Sequence, residues 1–164
     1  SFVSRGLGDV YKRQVLEPPL GLIALQSYLN REFEEKVIGK IIKTSVDFDN
    51  YEELENIIND FKPDLIGVSA MTFHKNFFHD AIKEIRNRGY ENMIVVGGPH
   101  PTTSYQEVLE DKNIDVCVIG EGEATLAEIV DGLINSEKKY LSYEDLSKID
   151  GIAFNKTKFL KKSA

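Results

Sequence analysis

The chain has 164 residues, 41% of them hydrophobic and 29% charged, enough to build one domain around a core without disulfide or metal staples. Its 27 acidic and 20 basic side chains leave a formal charge of -7, which gives no support to a nucleic-acid surface, and no apolar run approaches the roughly 20 residues that span a bilayer, so a soluble, cytoplasmic protein is expected. Cys117 is the sole cysteine, which excludes an intrachain disulfide, a multi-cysteine zinc site and an iron-sulfur cluster held by this chain alone.

The N-terminal stretch from Ser4 to Gln14 is polar and lacks sustained alternation. It resembles translated sequencing-adapter sequence. Residues 1–15 are therefore expected to be a non-native or disordered segment, with the first strand of the fold missing or replaced. From Pro18 onward the segments alternate in type, as βαβ units do. Pro18-Pro19 opens a helix predicted over Leu20–Phe33, with Leu22, Leu25, Gln26 and Leu29 on one side. Val37–Thr44 reads as a strand, Tyr51–Phe61 as a helix ended by Pro63, and Leu65–Ser69 as a buried strand. A helix over Asn76–Arg88 stops at Gly89. Ile94–Val96 and Val116–Ile119 are continuous, largely β-branched runs of the kind buried on both faces, separated by a short helix over Ser104–Glu110. Within the second run, Cys117 reads as a small buried hydrophobe. Leu126–Ile134 supplies the last long helix and Ile149–Phe154 an edge strand, while the basic residues near the C-terminus read as a solvated tail.

Each of the two β-branched runs ends in a glycine-rich turn: Gly97-Gly98-Pro99-His100-Pro101-Thr102 and Gly120-Glu121-Gly122-Glu123-Ala124-Thr125. Ligands of open α/β sheets sit beyond the carboxyl ends of the strands, where glycine lets the backbone approach a large flat or anionic group. Two such turns on neighbouring strands suggest one shared pocket. Glu121 and Glu123 precede a helix, whose positive N-terminus is their ordinary partner, and nothing near them supplies a nucleophile or a metal cluster. No catalytic residue is assigned.

Pro18-Pro19-Leu20-Gly21-Leu22, Gly67-Val68-Ser69 and the two glycine turns, in this order and spacing, resemble the N-terminal cobalamin-binding domain of B12-dependent radical SAM enzymes. The resemblance covers residues 16–154 and leaves 155–164 as a tail or the start of a linker. It implies a flavodoxin-like (Rossmann-like) parallel sheet, order 2-1-3-4-5, flanked by helices. It also implies that cobalamin is bound by Ser69, Ala70, Met71 and Thr72 beside the nucleotide tail, by Gly97, Gly98, Pro99 and His100 along its path, and by Gly120, Glu121 and Gly122 at the corrin edge. Many cobalamin domains carry an Asp-x-His-x-x-Gly motif whose histidine takes the lower axial position of cobalt. This chain has none, so no protein axial histidine is expected. His79 reads as a helix-surface residue, His74 and His100 as loop residues at the ligand end, and His100 as a packing or amide-bonding group.

The resemblance further implies a parent enzyme, methyltransferase-like or catalysing a radical rearrangement or cyclisation, whose S-adenosylmethionine and 4Fe-4S cluster belong to a radical SAM domain in cis. The module itself is expected not to catalyse. Two other readings stand beside it: a free-standing sensor for cobalamin or another flat cofactor, and a structural remnant that binds nothing. A downstream Cys-x-x-x-Cys-x-x-Cys would select the enzyme module, and a natural stop near Ala164 the sensor.

Overall fold

The computed structural model describes residues 2–4, 20–44, 46–69, 75–136 and 140–163. In chain order the elements are β1 (Phe2–Ser4), α1 (Leu20–Phe33), a 3-10 turn over Glu34–Lys36, β2 (Ile41–Lys43), α2 (Tyr51–Phe61), β3 (Leu65–Ser69), α3 (Lys75–Asn87), β4 (Met93–Gly97), α4 (Pro99–Val108), β5 (Val116–Val118), α5 (Glu123–Asn135), α6 (Tyr143–Leu146), β6 (Ile152–Phe154) and α7 (Lys156–Ser163). They form one six-stranded sheet of order β2-β1-β3-β4-β5-β6, in which the first five strands are parallel. The expected 2-1-3-4-5 order is present, with β6 added antiparallel at the edge beside β5.

Period-two alternation sorts each strand between two cores. Ile66, Val68, Ile94, Val96 and Cys117 face Leu54 of α2, Phe78, Ile82 and Ile85 of α3, and Val108 of α4. Leu65, Met93, Val95, Val116 and Val118 face Leu22 and Leu29 of α1, Leu126, Ile129 and Val130 of α5, and Phe159 of α7. Burial at about 1.5 to 3 kcal/mol per large side chain makes this two-faced apolar pattern the main term holding helices to the sheet. Local signals set the helix ends. The Asn50 side chain accepts from Glu53 N–H at the start of α2, and the Lys62 N–H returns to Ile58 O at its end. Ser142 and Asp145 close a capping box on α6.

Four sequence expectations need correction. The central slot of the sheet is not vacant: Phe2–Ser4 fills it, in register with Ile41–Lys43 on one side and Gly67–Ser69 on the other. Three residues are too few for a periodicity to register, and a strand bracketed by two others needs only its backbone groups. The rest of the segment 1–15 lies outside the described residues. The strand predicted over Val37–Thr44 is shortened to Ile41–Lys43, because the chain leaves α1 through the 3-10 turn and Ile38 is exposed. The helix predicted over Ser104–Glu110 instead begins at Pro99, kinked at Ser104, since Pro99 and Pro101 stand in a first turn whose N–H groups have no helical partners to lose. Finally, the C-terminal residues are no solvated tail. They form α7, with Phe159 buried against the ring of Phe154. Among the described residues, no helix is long and apolar enough to cross a membrane.

Candidate functional site

At the carboxyl ends of β3, β4 and β5 a cleft of about 350 Å³ opens between α1 and α5. Its floor follows from the alternation of the strands. Leu65 and Met93 fill the α1/α5 side of the sheet low down, and two and four residues later the same side carries only Gly67, Val95, Ser69 and Gly97. Ser69 and Gly97 stand in register, as do Gly67 and Val95. Small residues therefore replace large ones just where the strands end. A Cβ placed on Gly97 would meet only the Val118 Cβ, at 3.9 Å, so packing within this chain does not require glycine there. Apolar walls come from Leu22 and Leu25 of α1, Val118 of β5 and Leu126 of α5, while Glu121 and Glu123 bring carboxylates to the rim.

The two glycine turns contribute in different ways. Gly98 caps α4 with φ +103, a backbone conformation that a side chain would strain. Gly120 has φ +79 and open space where a Cβ would stand. Its N–H donates to Thr102 Oγ1 at 3.0 Å, which ties the second turn to the first. Glu123 occupies the first turn of α5, near the positive end of that helix.

Ser69, Gly97, Gly98, Gly120, Glu121 and Gly122 thus meet in one cleft. Ala70, Met71 and Thr72 lie outside the described residues, as does His74. Pro99 and His100 do not line the cleft. His100 is no loop residue but belongs to the first turn of α4, where it is 1% exposed and stacks edge-on against Phe78 of α3. Nor does His79 lie free on a helix surface: it is half-buried, with its Nδ1 2.7 Å from Asp111 Oδ2. Sequence reading left Gly21, Leu22, Leu25, Gly67, Glu123 and Leu126 out of the site. The signal for the first two was at hand in Pro18-Pro19-Leu20-Gly21-Leu22, since a Cβ on Gly21 would meet nothing within 4 Å. Among the described residues, no three His, Cys, Asp or Glu side chains gather as a metal ion would need. Burial pushes the Cys117 thiol up to about 12, the mark of a core residue and not of a nucleophile or ligand.

A cleft with an apolar and glycine floor and polar groups only at Ser69 and the rim can accept a flat group or a narrow chain along the sheet and offer it few directed bonds. Comparison with known proteins narrows the choice. The family model described as B12 binding domain matches residues 7–130, a match that starts inside the segment read as non-native. An uncharacterized methyltransferase of Pyrococcus horikoshii is 32% identical over 137 residues, 80% of this chain and 29% of that protein. The anaerobic magnesium-protoporphyrin IX monomethyl ester cyclase of Synechocystis sp. is 40% identical over 73 residues, 44% of this chain and 13% of the cyclase. Among solved structures, the radical S-adenosylmethionine methyltransferase TsrM from Kitasatospora setae, with cobalamin and a 4Fe-4S cluster bound, superposes with a TM-score of 0.72 at 19% identity, over 94% of this chain and 28% of that one. The chain thus spans under a third of the length of these relatives, and the likeness to TsrM is one of fold.

Proposed function

The chain belongs to the B12-binding domain family and is related to methyltransferases and to a cyclase, and from that premise we propose that its cleft binds cobalamin as the cofactor module of a longer B12-dependent radical SAM enzyme. The observation that carries this reading is the set of small residues Gly67, Ser69 and Gly97, with Ser69 and Gly97 in register, which leaves the α1/α5 side of the sheet open where the strands end. Ser69, Gly97 and Gly98 would flank the nucleotide tail, and Gly120, Glu121 and Gly122 would hold the rim of the corrin. The Ser69 hydroxyl can donate and accept, and the two rim carboxylates can accept from amide N–H groups such as those around a corrin. Leu22, Leu25 and Leu126 give the cleft apolar walls that would shield a bound corrin from water.

Cobalamin, when bound, supplies the cobalt chemistry of methyl transfer or radical rearrangement. The chain's own part is to bind, orient and shield. Its single buried cysteine cannot assemble a cluster held by three thiolates, so S-adenosylmethionine and the 4Fe-4S cluster would belong to a radical SAM domain in cis. The test is retention. The purified chain, mixed with excess hydroxocobalamin and passed through a desalting column, should carry about one equivalent of the absorbing cofactor with it. Elution of colourless protein would contradict the proposal.

A further inference from the structure

Gly120 is the hinge on which the second glycine turn depends. With φ +79 and no atom within 4 Å of a Cβ position, it is required for backbone conformation and not for close packing. That conformation is held from two sides. On one, the Ile119 N–H donates to the Gly151 carbonyl at 2.8 Å, anchoring the turn to the chain that enters β6. On the other, the Gly120 N–H donates to Thr102 Oγ1 at 3.0 Å. Thr102 lies in the first turns of α4, and its own N–H donates to the Gly98 carbonyl at 3.1 Å. One residue therefore bonds both glycine turns, through its main chain to the first and its hydroxyl to the second. It does not itself line the cleft, whereas Gly98, Gly120, Glu121 and Gly122 all do.

We propose that Thr102 is a positioning residue for the cobalamin site: its hydroxyl fixes the Gly120 turn against the Gly98 turn, so that Glu121 and Gly122 are held at the cleft before ligand arrives. The inference rests on the cobalamin reading above and adds to it a residue that acts through its neighbours. Replacing the hydroxyl by a methyl group of the same shape removes the acceptor, together with the hydroxyl proton, and leaves the Gly120 N–H without this partner.

The experiment compares wild type, Thr102→Val, Thr102→Ser and Gly97→Val by visible-absorption titration with hydroxocobalamin, with thermal melts of each. Hydrogen exchange at the Gly120 amide, followed by NMR without ligand, gives a second readout. Thr102→Val should weaken cobalamin binding about fivefold, the size expected from one net hydrogen bond, and speed exchange at Gly120, while melting no more than a few degrees below wild type. Thr102→Ser keeps the acceptor and should restore both. Wild-type affinity or wild-type exchange in Thr102→Val would overturn the inference, as would a Ser variant that behaves like Val. So would a Thr102→Val chain that melts far below wild type, because the residue would then be holding the fold and not the site. Failure of the wild type to bind cobalamin sinks the cobalamin reading and this inference together, whereas weak binding by Gly97→Val beside tight binding by Thr102→Val sinks this inference alone.

Discussion

Arg86 holds Asp115 at the buried foot of β5, its Nη2 2.6 Å from the carboxylate Oδ2. The same oxygen accepts from the Ile94 N–H at 2.8 Å, and the Lys158 ammonium of α7 stands 2.6 Å from Oδ1. Three more N–H groups of Arg86 donate to the carbonyls of Asn113, Tyr90 and Asn92. A carboxylate only 4% exposed is thus met by two cations and an amide, and it joins α3, β4 and α7 at the end of the sheet away from the cleft.

Removing that carboxylate leaves two positive groups facing each other with little water. Asp115→Ala should therefore lose about 3 to 5 kcal/mol of unfolding free energy, read from denaturant midpoints. A loss below 1 kcal/mol would show that the cluster contributes little.

Burial pushes the Cys117 thiol from an ordinary 9.0 up to about 12, and raises the Tyr90 phenol above its usual 10.0 despite the opposing charge of Arg86. Both groups keep their protons longer folded than unfolded. As pH rises past about 9 the unfolded chain gives up protons that the folded chain retains, so stability falls with pH up to about 12. Cys117 should also react with a disulfide reagent at pH 8 only at the rate of unfolding, and at once in guanidinium. Rapid labelling of the native chain would contradict this placement.

His100 packs on Phe78 and does not line the cleft. His100→Ala should cost about 2 kcal/mol of stability, as truncation of a buried side chain does, and leave the visible spectrum of bound cobalamin in place. A spectral change of the kind that follows loss of an imidazole ligand would make His100 an axial group after all.

Among the described residues, β2 bonds to the sheet through β1 alone. Deleting residues 1–4 should therefore lower stability by roughly 3 kcal/mol, at about 1 kcal/mol per backbone hydrogen bond lost. An unchanged melting temperature would restore the expectation that this segment is non-native or disordered.

What could be read in advance divides along physical lines. Helices α1 and α2 and strand β3 have the bounds predicted, because their apolar spacing is regular and Pro63 marks the end of α2. The cleft was legible where glycine needs a special reason, at Gly97, Gly98 and Gly120, all three of which line it. Gly67 was missed as a lining residue because its role depends on the register of β3 against β4, which no local pattern reports. β1 and α7 were missed for related reasons. Three residues carry no period, and the burial of Phe159 among basic neighbours goes with an ion pair between Lys158 and Asp115, an acid far back in the sequence. The helical start at Pro99 was hidden by prolines that usually signal a loop.

The central claim is that the open face at Gly97 is the path of the ligand, and the most direct measurement is a paired hydroxocobalamin titration of wild type and Gly97→Val. Gly98 would be a poor choice, since valine at φ +103 strains the backbone whatever occupies the cleft. Gly97 lies in a strand with only the Val118 Cβ nearby at 3.9 Å, so valine there should leave the melting temperature at or above that of wild type. The account predicts an affinity lower by at least about tenfold, or 1.4 kcal/mol, in a variant that is fully folded. Equal affinity in the two chains would contradict it.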